Sequence, residues 1–164
     1  MVKPFQPPVL TDEFIAELLE EAKPVPTDWQ TRLVPRTMRL GHGRASLEIV
    51  GAKGNQFSAM ARQNARYADN FSVILGYRST DGYSYRLMRC NGLHPGGHRN
   101  TVEGTSFGTA FHVHRASARY QERGLNVDGY AEITTGYSSL AQAIRELGRM
   151  TNFELEGGQQ EMDI

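Results

Sequence analysis

The sequence predicts an α+β fold, a single antiparallel β-sheet packed by N- and C-terminal helices. Three observations predict it: a capped amphipathic stretch from residue 11, an alternating hairpin across residues 70–91, and a second amphipathic stretch reaching residue 150. At 164 residues the chain can bury a core without disulfides or a structural metal. The expected organisation is an N-terminal extension and helix (1–28), one α+β domain (29–153) and a disordered acidic tail (154–164).

The Pro-rich first ten residues are expected to run extended. Thr11 then caps a helix with Asp12 and Glu13 in its first turn and Phe14, Ile15, Leu18 and Leu19 on one stripe. Residues 23–28, with prolines at 24 and 26, read as a short stiff linker. Residues 31–39 and 45–50 read as strands around the turn Gly41-His42-Gly43, and 55–67 fit a helix face or a strand equally. Across 70–91, Phe71, Val73, Leu75 and Tyr77 alternate with Ser72, Ile74, Gly76 and Arg78, and after Thr80-Asp81-Gly82 Tyr83, Tyr85, Leu87 and Arg89 alternate with Ser84, Arg86 and Met88. A three-residue loop with Gly82 left-handed would set Tyr77 opposite Tyr85 and Leu75 opposite Leu87. Strands are expected at 98–102, 109–114 and 130–134, and a short helix at 116–123 stopped by Gly124. Ser138 is expected to cap a last helix buried along Leu140, Ile144, Leu147 and Met150.

The net charge is zero, but it is segregated. Residues 1–28 carry two lysines against six acids, residues 29–124 thirteen arginines and Lys53 against five acids, and residues 125–164 two arginines against seven acids. Arginine's planar fork suits phosphate, so a basic centre with acidic ends points to a polyanionic partner. Nucleic acid fits, RNA before DNA, and an acidic protein such as an antitoxin would cover the same charge. A single cysteine, Cys90, fits a reducing cytoplasm. No apolar leader pattern or membrane-length run is present, so a cytoplasmic protein without a membrane partner is expected.

Four of the five histidines fall between His94 and His114. Imidazole exchanges protons near neutrality and is the commonest metal ligand. On a strand, His112 and His114 share one face while Phe111 and Val113 turn to the core. His98 would join them if its strand pairs with theirs.

Three uses compete. In a metal-independent ribonuclease, His112 and His114 form the acid–base pair and His98 and Asn100 position the phosphate. Arg99 and Arg115 clamp it, with Arg89, Arg119 and Tyr120 as further substrate contacts. In a zinc or other divalent-metal enzyme, His98, His112 and His114 are the ligands, although the surrounding arginines disfavour a cation. In a non-catalytic RNA- or DNA-binding or regulatory protein, Tyr77, Tyr83 and Tyr85 offer stacking surfaces. The sequence favours the first, without a cofactor.

The segment His98-Arg99-Asn100, Glu103, His112-Val113-His114, followed by an amphipathic helix ending at Asn152-Phe153, resembles a group of small bacterial and phage proteins. They carry H-R-N, an acidic residue and H-x-H, and are often encoded on mobile elements. The likeness covers about residues 70–153. It implies that His98, Asn100, Glu103, His112 and His114 act together, in a setting that suits a toxin or defence ribonuclease.

Overall fold

The computed structural model describes residues 6–158. Its elements are α1 (Asp12–Glu20), β1 (Lys23–Val25), α2 (Trp29–Arg32), β2 (Met38–Arg39), β3 (His42–Val50), β4 (Gln56–Asn64), β5 (Phe71–Arg78), β6 (Ser84–Asn91), β7 (His98–Asn100), β8 (Thr105–Phe107), β9 (His112–Arg115), α3 (Ala118–Glu122), β10 (Tyr130–Ile133), α4 (Leu140–Met150) and β11 (Phe153–Leu155), then a short 3-10 turn (Glu156–Gly158). The fold is mixed α+β. Seven strands form one antiparallel sheet in the order β10-β9-β6-β5-β4-β3-β2. Two small sheets stand beside it, β1-β11 and β7-β8, so a single sheet describes the architecture only in part.

One face of the large sheet is apolar because its strands alternate. Phe57, Ala59 and Ala61 on β4 stand opposite Tyr77, Leu75 and Val73 on β5, and Val73 continues to Cys90 and Val113. These residues join one core with Ile15 and Leu18 of α1 and Leu140, Ala143, Ile144 and Leu147 of α4. Thr11 caps α1 as expected, its hydroxyl accepting from Phe14 N–H at 3.1 Å. For α4 the cap is Ser139 rather than Ser138, accepting from Gln142 N–H at 3.2 Å. Glycine inside a helix costs about 1 kcal/mol, yet a Cβ at Gly148 would stand 2.5 Å from the Trp29 ring. That close approach seats α2 on α4.

Several expectations change. Residues 31–39 are not a strand; α2 and a loop occupy most of them. The ambiguous stretch 55–67 is largely strand β4, paired along its length with both β3 and β5. In the hairpin, Tyr77 does face Tyr85, but an irregularity after Leu75 sets that residue opposite Met88 rather than Leu87. Tyr77 and Tyr85 are buried and stacked on each other at 6.0 Å, which removes them as base-stacking platforms.

The linker 23–28 is in fact tertiary structure. Its first residues pair in parallel with β11, Lys23 opposite Phe153 and Val25 opposite Leu155. Ahead of residue 29, Leu10, Ile15, Leu18 and Val25 lie in the common core. The start of the acidic tail is likewise ordered by this pairing, while residues 159–164 of that expectation lie outside the described residues, as do residues 1–5 of the extended start. Among the described residues no helix is long and apolar enough to cross a membrane.

Candidate functional site

The sheet's second face carries the polar residues of the same alternation. Register places Arg44, Arg62, Ser72, Asn91 and His112 in one row across β3, β4, β5, β6 and β9. The next row reads Ser46, Met60, Ile74, Arg89, His114 and Ala131. The β3–β4 end of these rows, with Arg44 and Arg62, is exposed, whereas Ser72, Asn91, His112 and His114 toward the other end are buried.

His112 and His114 share a face of β9 with ring centroids 5.0 Å apart. The β7-β8 hairpin folds over them and brings His98 to 4.7 Å from His114 and 6.0 Å from His112, centroid to centroid. Asn100 fixes that hairpin. Its Nδ2 donates to Ala131 C=O at 2.9 Å, and its Oδ1 accepts from Ala131 N–H at 2.8 Å. Ala131 lies on edge strand β10, so the side-chain amide substitutes for a missing neighbour strand. Phe107 packs on both His98 and His112. His94, from the loop after β6, completes the group with Nε2 3.3 Å from His112 Nε2.

The hydrogen bonds fix the protons. Because Asn100 Oδ1 is the acceptor end, His98 Nε2 donates to it at 2.8 Å and Nδ1 keeps the lone pair. His112 Nδ1 donates to Ala110 C=O at 2.7 Å and His114 Nδ1 to Asp128 C=O at 2.8 Å. Each of these two rings therefore carries its lone pair on Nε2. Ser72 Oγ donates to Asn91 Oδ1 at 2.7 Å, which turns Asn91 Nδ2 toward His112 Nε2 at 3.3 Å. Burial pulls the His112 imidazole down to about 4, opposed by the Ala110 carbonyl bond and helped by His94 and His98. Burial and then the Arg89 charge pull His114 down to about 3. Both rings are neutral at pH 7 and nearly sealed, at 1% and 4% exposure. His94 and His98 are only half-buried. An open cleft between the Arg66–Asn70 turn and the Leu93–Pro95 segment reaches His94.

The candidate residues named from sequence separate into groups. His98, Asn100, His112 and His114 come together. Arg89 lies beside them, its charge acting on both buried rings, and its Nε donates to Asp128 Oδ2 at 3.1 Å. Glu103, Arg119 and Tyr120 form a separate knot, the carboxylate accepting from Tyr120 Oη at 2.6 Å and Arg119 Nε at 2.7 Å. Those two bonds, Tyr120's first, hold the Glu103 carboxyl below the usual range. None of these polar contacts reaches a histidine, so Glu103 is a hairpin-to-α3 tie and not a member of the cluster. Arg115 points to the opposite sheet face, 3.9 Å from Met150 Sδ, and is no clamp at the histidines. Arg99 is exposed between His98 and Asn100, whose side chains take the other side of β7.

Sequence reasoning passed over His94, Asn91, Phe107 and Asp128 as site residues. Asp128 is fully buried and serves twice, holding Arg89 by its side chain and His114 by its backbone. Its only local signal is an Asn-Val-Asp-Gly turn, which many surface loops share. As the side chains stand, no three His, Cys, Asp or Glu groups among the described residues are placed to share a metal ion. Compared with known protein families, curated proteins and solved structures, the chain has no match.

Proposed function

We propose that this chain recognises nucleic acid, RNA in preference to DNA, and cleaves a phosphodiester at the histidine centre. One observation carries the proposal: four imidazoles from three chain segments converge at the end of an arginine-bearing sheet face. Cleavage through the ribose hydroxyl needs a base at 2′-OH, an acid at the leaving 5′-oxygen and positive charge at phosphorus.

His98 suits the base, with Nε2 held by Asn100 and Nδ1 unengaged among the described residues. His94 suits the acid, because it is only half-buried, reaches the open cleft beside the Arg66–Asn70 turn and stands with its Nε2 3.3 Å from His112 Nε2. The 2′-oxygen gives its proton to His98 and bonds to phosphorus. The P–O5′ bond breaks, and His94 protonates the departing oxygen. The products are a 2′,3′-cyclic phosphate and a 5′-hydroxyl, and DNA, lacking the hydroxyl, is spared. His112 and His114 are too buried and too weakly basic for this duty, so they support the outer pair. Arg89, anchored on Asp128, offers charge to the phosphate. An acidic protein able to cover the arginines, as an antitoxin would, fits the same proposal.

A second proposal has its own observation. Two nitrogens bound to one tetrahedral zinc at ~2.0–2.1 Å stand roughly 3.3 Å apart, the separation of the His94 and His112 Nε2 atoms. Incubating the protein with RNA in EDTA separates the possibilities. Cyclic-phosphate products that disappear in His98→Ala support the ribonuclease. Cleavage that requires added zinc or manganese moves the assignment to the metal enzyme. Intact RNA under every condition, with tight salt-sensitive binding, leaves a binding protein.

A further inference from the structure

We propose that the solvent-facing side of the sheet is a track for a single-stranded polynucleotide. Arg44, Arg62, Arg86 and Arg89 grip its phosphates, and Met60 and Ile74 lie under its bases. The track rests on the nucleic-acid part of the reading above and adds the surface, the residues and the strandedness.

The arrangement costs the free protein stability. Arg44 and Arg62 stand directly opposite each other on β3 and β4, and like charges so paired repel. Both are exposed, and neither has a carboxylate ion-pair partner among the described residues. Arg62 in turn adds its charge to the surroundings of Arg89. Arg86 and Arg89 share a single buried carboxylate, Asp128, and the Arg86 contact of 3.3 Å is too poorly aimed to be a hydrogen bond. Against these four guanidinium groups the face carries the buried Asp128 and, two residues beyond Ser46 on β3, the exposed Glu48, so positive charge remains in excess and favours an anion.

Spacing shows what kind of anion. Ser72, Asn91 and His112 of the first row are buried, so the reachable charges run from Arg44 on β3 to Arg89 on β6, three inter-strand steps or roughly 14 Å at about 4.8 Å each. That length exceeds one phosphate and suits a run of them, ending beside the histidine centre. Between the charged rows, Met60 and Ile74 are paired in register and half-buried, a small apolar floor. Bases of a duplex stack on one another and cannot use it, whereas unpaired bases can.

The test is fluorescence anisotropy with a 2′-O-methyl oligonucleotide, which lacks the reactive hydroxyl and is bound without being cut. The double variant Arg44→Ser/Arg62→Ser should bind at least tenfold more weakly. Its log–log salt slope should be shallower by about 1.4, two phosphate contacts at ~0.7 each. Its thermal midpoint should not fall, since a repulsive pair is removed. Unchanged affinity would overturn the track. So would a duplex of equal length binding as tightly, or heparin competing as well as the oligonucleotide at equal charge. Because the probe cannot react, arginine-dependent binding supports the track even where natural RNA survives uncut, and that second outcome counts against the ribonuclease alone.

Discussion

Two polar clusters are buried in this protein, and they are finished differently. Lys23, with no exposed surface, donates from Nζ to the carbonyls of Leu18 (2.8 Å), Leu19 (3.2 Å), Glu21 (2.8 Å) and Thr151 (2.7 Å), and lies 4.6 Å from the Phe57 ring centroid. Every donor is taken, and the cluster ties α1, β1 and the end of α4 together. In the histidine centre each buried ring is tied through Nδ1 to a carbonyl, His112 Nε2 meets the Asn91 amide and His94, and the two outer rings, His94 and His98, are only half-buried. Solvent does not reach Lys23, whereas in the histidine centre it reaches two rings, His94 and His98.

The largest expected effect breaks the open side. His98→Ala should lower RNA cleavage by on the order of 10²–10⁴-fold while leaving the thermal midpoint nearly in place, measured by product release and by a melting curve. His98→Ala with wild-type turnover would remove the base from the scheme.

Lys23→Met should do the reverse, leaving oligonucleotide binding intact. It strands buried carbonyls and should cost about 3 kcal/mol, a fall in midpoint of roughly 6–12 °C for a chain of this size. The pH dependence sharpens the contrast. Burial pulls the Lys23 ammonium down to about 8, against a smaller opposing effect of the Glu21 carboxylate. Its folded value lies below the unfolded ~10.4, so the unfolded chain holds the extra proton between these values. Stability from this group should therefore rise from pH 8 to about 10.4. Denaturant melts in which that rise persists in Lys23→Met would assign it elsewhere.

Asn100→Ala lies between the two clusters, because it frees the hairpin and loosens His98 together. It should cost about 1–3 kcal/mol and depress cleavage as well, read in paired melting and turnover assays. Smallest of all, Glu103→Gln should change cleavage by less than about threefold, because its carboxylate faces Tyr120 and Arg119 and an exposed tie is worth little. A large loss of turnover would bring Glu103 back to the site.

Much of this was legible along the chain. The hairpin of β5 and β6, the two capped helices and the shared face of His112 and His114 follow from periods of 2 and 3.6 and from local capping. The strand at 23–25 was hidden by two prolines, which read as a linker until a partner 130 residues away is known. α2 was hidden because its four residues are too few to show a period. At the site, Arg115 was misread as a clamp by proximity in sequence, since its neighbour His114 turns to the opposite face of the same strand. Asp128 gave no motif because one of its two duties is performed by its backbone.

By itself, then, the sequence determined the α+β class, the alternation that makes one sheet face apolar and the other basic, and the density of imidazole near residue 100. Those are properties of neighbouring residues, and the backbone's periodicity expresses them without reference to the rest of the chain. Only the tertiary structure decided which histidines are sealed and which are reachable, that His94 belongs with them, and that Arg44 and Arg62 stand side by side. Those depend on strand register and on a hairpin held down by one asparagine, contacts between residues far apart in the chain that no local pattern encodes.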